Sequence, residues 1–315
     1  MKNLLQIRSN LLKAVREFFD SQGFIEVETP ILVPYENPDS NVVNVNANFH
    51  DLSGKLHNWF LHTSPEFFMK RVVWHGIPKI YQITKVFRDG EVTNFHNIEF
   101  TMVEWYRSNG DYRKGMEETF ELLKHCLNTI GKKEICFQGK KVLFNNFISL
   151  PVEEAFKEFA GIRNVLDEEE VKAKAEEKDY ETAFFKLLVD KVEPALKRFN
   201  HPVFLYDYPK SFSAMAKLKG NFAERFELYI AGVELANGYT ELVDYESYKI
   251  KFLEKGNKAV DKGFLNLLKE KKLSDCEGVA LGFDRLVMVI LDKTIDEVIP
   301  FSTKKLLREL NLPSF

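Results

Sequence analysis

The 315-residue sequence has little of several features that would place it in a special class. It holds 16 glycines and 11 prolines, below the roughly 12% of average usage, which excludes collagen-like, low-complexity and disordered chains. Its three cysteines, Cys126, Cys136 and Cys276, are widely spaced. They form neither a disulfide framework nor a metal-binding pair, and they fit the reducing cytoplasm. No apolar run approaches the roughly 20 residues of a membrane helix, so no membrane span is predicted.

A basic excess is lacking as well. The chain has 44 Lys and Arg against 47 Asp and Glu, a net charge of −3 and a pI near 6.2. Extended phosphate contacts usually require a clear basic excess, so stable nucleic-acid binding is not expected. Hydrophobic residues, in contrast, make up 45% of the chain, and phenylalanine alone occurs 28 times. We therefore expect a soluble cytoplasmic protein with an ordinary core, and most simply an enzyme.

The hydrophobic periodicity predicts strands and helices that do not alternate regularly. Helices are predicted over 4–19, 65–75, 112–130, 245–256 and 282–291, with a charged helical segment over about 150–200. Strands are predicted over 24–29, 79–87, 96–106, 203–208 and 226–243, the last interrupted at Gly232 and Gly238, with a hairpin over 135–144 and a loop over 34–48. Such an order indicates an α+β fold with an antiparallel sheet.

Chemistry-bearing residues concentrate first in the segment 87–106. Side chains alternate along a strand, so Phe100, Met102, Glu104 and Tyr106 share one face. That face could stack a planar group at one end and hold a cation at the other. A core strand whose glutamate pairs with a neighbouring arginine would give the same pattern.

A second segment, 225–241, carries Glu227, Glu234, Glu241 and Asn237 in otherwise apolar surroundings. Buried carboxylates are costly unless they pair with cations or bind a metal. Oxygen ligands of this kind suit Mg²⁺ together with phosphates. Alternatively, Glu227 and Glu234 face the solvent.

A third segment, 278–288, reads as a strand that enters a helix, with Arg285 in the first turn of the helix. Its glycines match neither a P-loop nor a dinucleotide-binding fingerprint. Alone, this segment says little.

Together and in this order, these segments resemble the catalytic domain of class II aminoacyl-tRNA synthetases, and within them the lysyl type. The opening helix, strand and Pro30 resemble motif 1, residues 87–106 motif 2 and residues 278–285 motif 3. The string HNIEFTMVEWY at 96–106 is close to the HNPEFTM string of lysyl enzymes. Residues 234–241 are similar to their E-I-G-N-G-x-x-E segment.

The resemblance implies one catalytic domain over 1–315, with a mixed, mostly antiparallel sheet flanked by helices and a helical insertion around 150–200. It implies no N-terminal OB domain of the kind with which lysyl-tRNA synthetases bind the anticodon. The chain is more similar to the short paralogues that attach lysine or (R)-β-lysine to a lysine of translation elongation factor P, as Thr63–Glu66, Ala236–Gly238 and Ala280 indicate. A homodimer that does not bind tRNA stably is then expected.

For the nucleotide, the resemblance implies that Arg88 contacts the α-phosphate and that Arg285 binds the outer phosphates and one face of adenine; these two are the expected catalytic residues. The implied ATP-binding residues are Arg88, Glu91, His96, Asn97, Phe100, Glu227, Glu234 and Arg285. Glu227 and Glu234 are the implied Mg²⁺ ligands. Because Gly90 stands where the family often has its acid, the role of Glu91 is open, and Ile98 replaces a usual proline.

For the amino acid, the implied binding residues are Ser64, Glu66, Glu104, Tyr106, Asn237, Glu241 and Ala280. Glu66 would bind the amino group nearer the carboxylate, and Glu104 and Glu241 the distal ammonium. The methyl group of Ala280, where lysyl-tRNA synthetases have glycine, would narrow the pocket and favour β-lysine over α-lysine.

Three readings follow from these implied roles. The first is an ATP-dependent ligase that forms a lysyl or β-lysyl adenylate and transfers the acyl group to elongation factor P. The second is the same chemistry with a tRNA, a lipid or a small molecule as the acceptor. The third is a catalytically silent paralogue, which should have lost Arg88, Arg285 or the Glu227 and Glu234 pair; all four are present. A related asparagine synthetase is disfavoured, because Glu104 and Glu241 would repel aspartate.

Overall fold

The fold is known from a computed structural model, which describes residues 1–38, 42–254, 261–270 and 274–312. The strands are β1 (Ile25–Glu26), β2 (Leu32–Val33), β3 (Val45–His50), β4 (Leu56–Leu61), β5 (Lys79–Phe87), β6 (Glu99–Ser108), β7 (Glu134–Phe137), β8 (Lys140–Leu143), β9 (Ile148–Pro151), β10 (Val203–Pro209), β11 (Leu218–Lys219), β12 (Phe222–Ile230), β13 (Val233–Thr240) and β14 (Cys276–Gly282).

The helices are α1 (Lys2–Ser21), α2 (Glu66–Trp74), α3 (Tyr112–Thr129), α4 (Val152–Ala155), α5 (Glu168–Ala175), α6 (Tyr180–Leu187), α7 (Glu193–Leu196), α8 (Tyr245–Glu254), α9 (Lys262–Glu270), α10 (Phe283–Leu291), α11 (Ile295–Val298) and α12 (Thr303–Glu309). Wider π-helical turns, Phe156–Ala160 and Leu188–Val192, follow α4 and α6, and a 3₁₀ turn covers Lys210–Phe212.

In the described ranges, nine strands form one sheet in the order β1-β5-β6-β14-β13-β12-β10-β9, with β11 added beside β12. The two edge pairs, β1 with β5 and β9 with β10, are parallel, and the other pairs are antiparallel. This confirms the predicted mixed, mostly antiparallel sheet. Because β14 lies between β6 and β13, the three segments that the sequence singled out become neighbouring strands.

The two faces of the sheet have different roles. Helices α1, α3 and α10 pack in one hydrophobic core with residues of β6 such as Val103 and Trp105. Side chains alternate along the strand, so Met102, Glu104 and Tyr106 point to the opposite face, where a cavity opens. One strand thus joins the core on one side and a polar site on the other.

The helical segment 152–196 has its own apolar cluster against the sheet. Side chains such as Phe156 and Phe184 pack with Val203 and Leu205 of β10 and Tyr229 of β12. The sequence predicted a helical run here, and the structure has one.

Three local predictions were wrong. Of the strand predicted over 24–29, only the two residues of β1, Ile25 and Glu26, pair with β5. The loop predicted over 34–48, of which 39–41 lie outside the described residues, ends where β3 begins at Val45; β3, β4 and β2 form a second, three-stranded sheet. Gly238 does not interrupt its strand: a Cβ there would lie 2.7 Å from the Phe226 ring, so glycine is required for close packing.

Besides β3, the elements of the described ranges that were not anticipated are β2, β4, β9, β11, α9, α11 and α12. The predicted helices 4–19, 65–75, 112–130 and 282–291 correspond to α1, α2, α3 and α10, and the hairpin predicted over 135–144 to β7 and β8. The helix predicted over 245–256 corresponds to α8, its last two residues lying outside the described ranges.

Candidate active site

A cavity of about 810 Å³ lies on the polar face of the sheet. Strands β6, β12, β13 and β14 and the start of α2 contribute its walls. Every site residue that the sequence singled out lines it: Ser64, Glu66, Arg88, Glu91, His96, Asn97, Phe100, Glu104, Tyr106, Glu227, Glu234, Asn237, Glu241, Ala280 and Arg285.

Arg88 stands at the turn between β5 and β6. Its backbone N–H donates to the carbonyl of Ile98 at 2.9 Å, so the hairpin remains closed although Ile98 replaces proline. The guanidinium lies 5.2 Å from the centre of the Phe100 ring, and Nη1 is 3.8 Å from the carboxylate of Glu91. Gly90, at φ 77°, makes the turn that brings Glu91 back to Arg88.

Arg285 is held by three groups at the start of α10. Its Nη2 donates to His96 Nε2 at 2.5 Å, Nε to the carbonyl of Phe95 at 3.2 Å, and Nη1 to Glu234. Burial, together with the charges of Arg285 and Arg88, lowers the pKa of His96 to about 4. His96 is therefore neutral at physiological pH, with Nε2 free of hydrogen because it accepts from Arg285.

The amide of Asn97 is engaged inside the protein. Its Nδ2 donates to the carbonyl of Glu99 at 2.6 Å, and its Oδ1 accepts from the backbone N–H of Thr303 at 2.9 Å. Asn97 is 4% exposed. In this conformation it fixes the first turn of α12 against the start of β6, beside the cavity.

Glu227 is a buried carboxylate on β12 with three donors. Arg225 Nη2 lies 2.5 Å from Oε1, and the hydroxyls of Tyr208 and Tyr229 donate to Oε2 at 2.5 and 2.7 Å. Burial raises the pKa of Glu227, Arg225 lowers it, and the neighbouring Glu234 raises it. The charge of Arg225 and the two tyrosine hydroxyls stabilise the ionised form of Glu227. Glu234 adds a repulsion that a bound cation would relieve.

Glu234 lies on β13 and remains partly accessible. Its side chain is 37% exposed, and Oε2 is 3.3 Å from Arg285 Nη1. Glu193 of α7 also lies near: its Oε1 is 3.2 Å from the hydroxyl oxygen of Tyr229, which donates its hydrogen to Glu227. Burial, followed by the charges of Glu227 and Glu234, raises the pKa of Glu193 to about 7.

These carboxylates fit a magnesium ion that also holds phosphate oxygens. Glu227 and Glu234 both supply the hard oxygen atoms that Mg²⁺ prefers, and the repulsion between their charges favours a bound cation. Among the described residues, no cluster of three or more His, Cys, Asp or Glu side chains is arranged to hold a metal. Oxygens of a nucleotide and of water would accordingly complete the coordination shell of a magnesium ion held by Glu227 and Glu234.

Glu104 is the central acid of the other half of the cavity. Its Oε1 accepts from the hydroxyl of Tyr106 at 2.6 Å and its Oε2 from that of Ser64 at 2.7 Å. Burial, followed by the charge of Glu66, raises the pKa of Glu104 to about 7. Both hydrogen-bond donors are neutral, so an ammonium group placed here would supply the missing positive charge.

Glu241 lies beside Glu104, directly after β13, and is 1% exposed. Its Oε2 is 2.5 Å from the ammonium of Lys70, while its Oε1 has no hydrogen-bond partner within the described ranges. Gly278 makes room for this carboxylate, because a Cβ at that position would overlap Oε1 and lie 2.5 Å from the Tyr106 ring.

Sequence reasoning missed the cations behind these acids. Lys70 follows Glu66 by four residues on a predicted helix, a spacing that favours an ion pair. Arg225 precedes Glu227 by two residues on a strand, so the two side chains share a face. Both pairs had a sequence signal, but only the fold shows that both cations are buried.

The fold and this site define a class of protein. Residues 1–305 match the family model described as tRNA synthetases class II (D, K and N), and the chain belongs to that family. It is 37% identical over 302 residues to the elongation factor P–(R)-β-lysine ligase homolog of Aquifex aeolicus, covering 92% of this chain and 96% of that protein.

Two further relatives carry the name elongation factor P–(R)-β-lysine ligase. The protein of Hamiltonella defensa is 33% identical, with 97% of this chain and 96% of the relative covered. The protein of Haemophilus influenzae is also 33% identical, with 96% and 95% covered. The predicted class II synthetase fold and ligase class are confirmed.

None of the helices in the described part of the chain is both long and apolar enough to cross a membrane.

Proposed function

We propose that this protein activates lysine or β-lysine with ATP as an aminoacyl adenylate and transfers the acyl group to the ε-amine of a lysine on translation elongation factor P. One observation carries the proposal: a single cavity joins an arginine-lined end at Arg88 and Arg285 to an end walled by the buried carboxylates Glu104 and Glu241. The first suits phosphates and the second suits the ammonium groups of a diamino acid.

In the first step, a carboxylate oxygen of the amino acid attacks the α-phosphorus of ATP and pyrophosphate leaves. Arg88 neutralises charge on the α-phosphate and orients the attacking carboxylate, while His96 and Arg285 bind the outer phosphates. Phe100 offers a ring face to adenine. Catalysis is then positioning and charge neutralisation, so no nucleophilic side chain is required.

Specificity for a diamino acid rests on the acidic end. Glu66 would bind the amino group nearer the carboxylate, and Glu104, Tyr106, Asn237 and Glu241 the distal ammonium. A neutral isostere would leave a buried carboxylate without a cation, and such sites reject isosteres strongly.

In the second step, the neutral ε-amine of the acceptor lysine attacks the carbonyl carbon of the adenylate. An amide bond forms, AMP leaves, and the amine gives up one proton. Glu227 and Glu234 would hold Mg²⁺, which supplies charge neutralisation for the phosphates. A cytoplasmic homodimer completes the proposal, since two-fold dimers are the commonest soluble oligomers.

ATP–pyrophosphate exchange with Mg²⁺ tests the first step, with L-lysine, (R)-β-lysine, L-aspartate or no amino acid added. Exchange stimulated by a lysine isomer alone is expected, and it ranks the two isomers. Stimulation by aspartate would contradict the acidic pocket, and no stimulation in a folded, ATP-binding protein would favour the silent paralogue.

Intact-mass measurement tests the acceptor. Elongation factor P incubated with the enzyme, ATP and the preferred isomer should gain the mass of one lysyl or β-lysyl group. A variant of elongation factor P with its acceptor lysine replaced by arginine is the matched control. Exchange activity without a mass gain would favour another acceptor, such as a tRNA, a lipid or a small molecule.

A further inference from the structure

Lys70 is a fully buried cation that the proposed reaction does not use. It lies on α2, one turn after Glu66, and its side chain is 1% exposed. Burying an ammonium is costly unless several partners compensate. The position therefore calls for an explanation beyond the folding of α2.

The partners of Lys70 are the acids of the amino-acid pocket. Its Nζ pairs with Glu66 and with Glu241, from which it is 2.5 Å away, and it donates to the hydroxyl of Tyr248 at 3.0 Å. The ring of Tyr239 lies 5.5 Å from Nζ. The cavity is lined by Glu66, Tyr239 and Glu241. Lys70 therefore lies directly behind these residues of the pocket wall.

The charges of this region add up in a specific way. Glu66, Glu104 and Glu241 carry three negative charges when ionised, and Lys70 supplies one positive charge, which leaves two negative charges. The two cations of a diamino acid would neutralise that remainder, while its carboxylate faces Arg88. Without Lys70, one buried carboxylate would remain unpaired even in the substrate complex.

We propose that Lys70 is a positioning and specificity-determining residue that pairs with the carboxylates of Glu66 and Glu241, holds them in place and matches the charge of the pocket to a substrate with two ammonium groups. This inference rests on the proposed function and deepens it. Lys70 does not touch the substrate; it acts through the two glutamates.

The titration of the pocket gives Lys70 a measurable signature. Burial raises the pKa of Glu241 well above its usual value, and Lys70 is the charge that lowers it most. The groups that face Lys70 and Glu241 are Glu66, Glu104, Tyr106, Tyr239, Tyr248 and Cys276. Removing Lys70 therefore leaves Glu241 surrounded by acids and neutral groups, and its pKa must rise further.

The experiment compares Lys70→Met, Glu241→Gln, the double variant and wild type by lysine-dependent ATP–pyrophosphate exchange across pH 6–9. For Lys70→Met we expect KM for lysine to rise about tenfold or more and the pH midpoint of kcat/KM for lysine to move upward by about one unit. KM for ATP should stay unchanged. Lys124→Met, in an exposed pair on α3, is the matched control.

The double variant separates charge matching from structural support, and it removes both members of a buried pair, which favours folding over the single change. It should return the pH midpoint to that of wild type, because the group with the raised pKa is gone. It should also bind lysine more tightly than Glu241→Gln alone, which retains Lys70 and leaves one negative charge too few. A double variant no better than Glu241→Gln, or an unmoved midpoint in folded Lys70→Met, would overturn the inference.

The wild-type arm tests the proposed function separately. If wild type shows no lysine-dependent exchange, that function fails, and the same variants are compared by calorimetric binding of L-lysine. Tighter binding to the double variant than to Glu241→Gln would then still support the role of Lys70, and no binding of lysine to wild type would overturn it.

Discussion

Ala280 on β14 lies directly opposite Glu104 on β6, and both residues line the same cavity. On its other side, Ala280 pairs with Asn237 of β13. One methyl group therefore stands between two residues that are expected to bind the distal ammonium of the substrate. We therefore expect the size of the side chain at position 280 to determine which lysine isomer fits the pocket.

Replacing this alanine by glycine tests that control. Ala280→Gly should raise kcat/KM for α-lysine relative to (R)-β-lysine by about tenfold, which is the scale of one carbon in a pocket. The measurement is pyrophosphate exchange with each isomer at saturating ATP. An unchanged ratio would show that Ala280 does not set the preference.

Gly278 should not tolerate a side chain. A Cβ there would overlap Glu241 and lie 2.5 Å from the ring of Tyr106, so Gly278→Ala should lower the free energy of unfolding by about 1–3 kcal/mol and weaken lysine binding. Gly282→Ala is the matched control, since its Cβ would meet other atoms at 3.7 Å and beyond. Denaturant unfolding of both variants decides the matter; equal stabilities would contradict the close packing.

Lysine binding should depend on the ionisation of Glu104. Because burial raises its pKa to about 7, the affinity for lysine should increase as the pH rises through about 7, where the carboxylate gains its charge. Glu104→Gln should lose this increase and most of the affinity. Calorimetric titration of lysine at pH 6, 7 and 8 measures both effects.

The same residue should have the opposite effect on stability. The folded protein binds the Glu104 proton more tightly than the unfolded chain, whose pKa is near the ordinary 4.5, so stability from this group falls as the pH rises from about 4.5 to 7. Glu104→Gln should remove that loss and be more stable at pH 8, by on the order of 1–3 kcal/mol. Equal pH slopes of the unfolding free energy for variant and wild type would contradict this.

Arg107 should be a principal electrostatic support of the sheet. It contacts the buried carboxylate of Glu118 and lies 3.5 Å from that of Glu277, whose pKa burial raises to about 8. Arg107→Met should cost about 3–5 kcal/mol, because two buried acids lose their cation. Arg16→Met, in an exposed pair with Glu26, should cost about 1 kcal/mol or less. Thermal and denaturant unfolding compare the two.

The sequence predicted the fold best where apolar residues face a core. Strand β5 matches its predicted bounds, and its apolar residues Ile80, Tyr81 and Val86 are buried. Helices α1 and α3 lie within two residues of their predicted bounds, because each buries one apolar face. Strand β3 was mistaken for loop because its six residues, VNANFH, are half exposed and rich in asparagine. Its partner β4 supplies the order that local propensity does not.

The site was predictable at the residues that carry the family resemblance, and all of them line one cavity. Its electrostatic support was not. The pairing of Lys70 with Glu241 joins segments 171 positions apart, and sequence alone does not show that both side chains are buried. Likewise, Arg225 reads as an ordinary surface cation until Tyr208 and Phe212 are seen to enclose it.

The position of β14 has a consequence for how the protein is made. This strand is the last one in the described part of the chain, yet it lies at the centre of the sheet, between β6 and β13. The chain is synthesised from its N-terminus. Strand β6 therefore cannot pair with β14 until more than 160 further residues have been added. Neither Ala280 nor Arg285 exists before that point. The pocket is therefore completed only after β14 and the start of α10 have been synthesised, and an enzyme truncated before residue 276 would have no site to assemble.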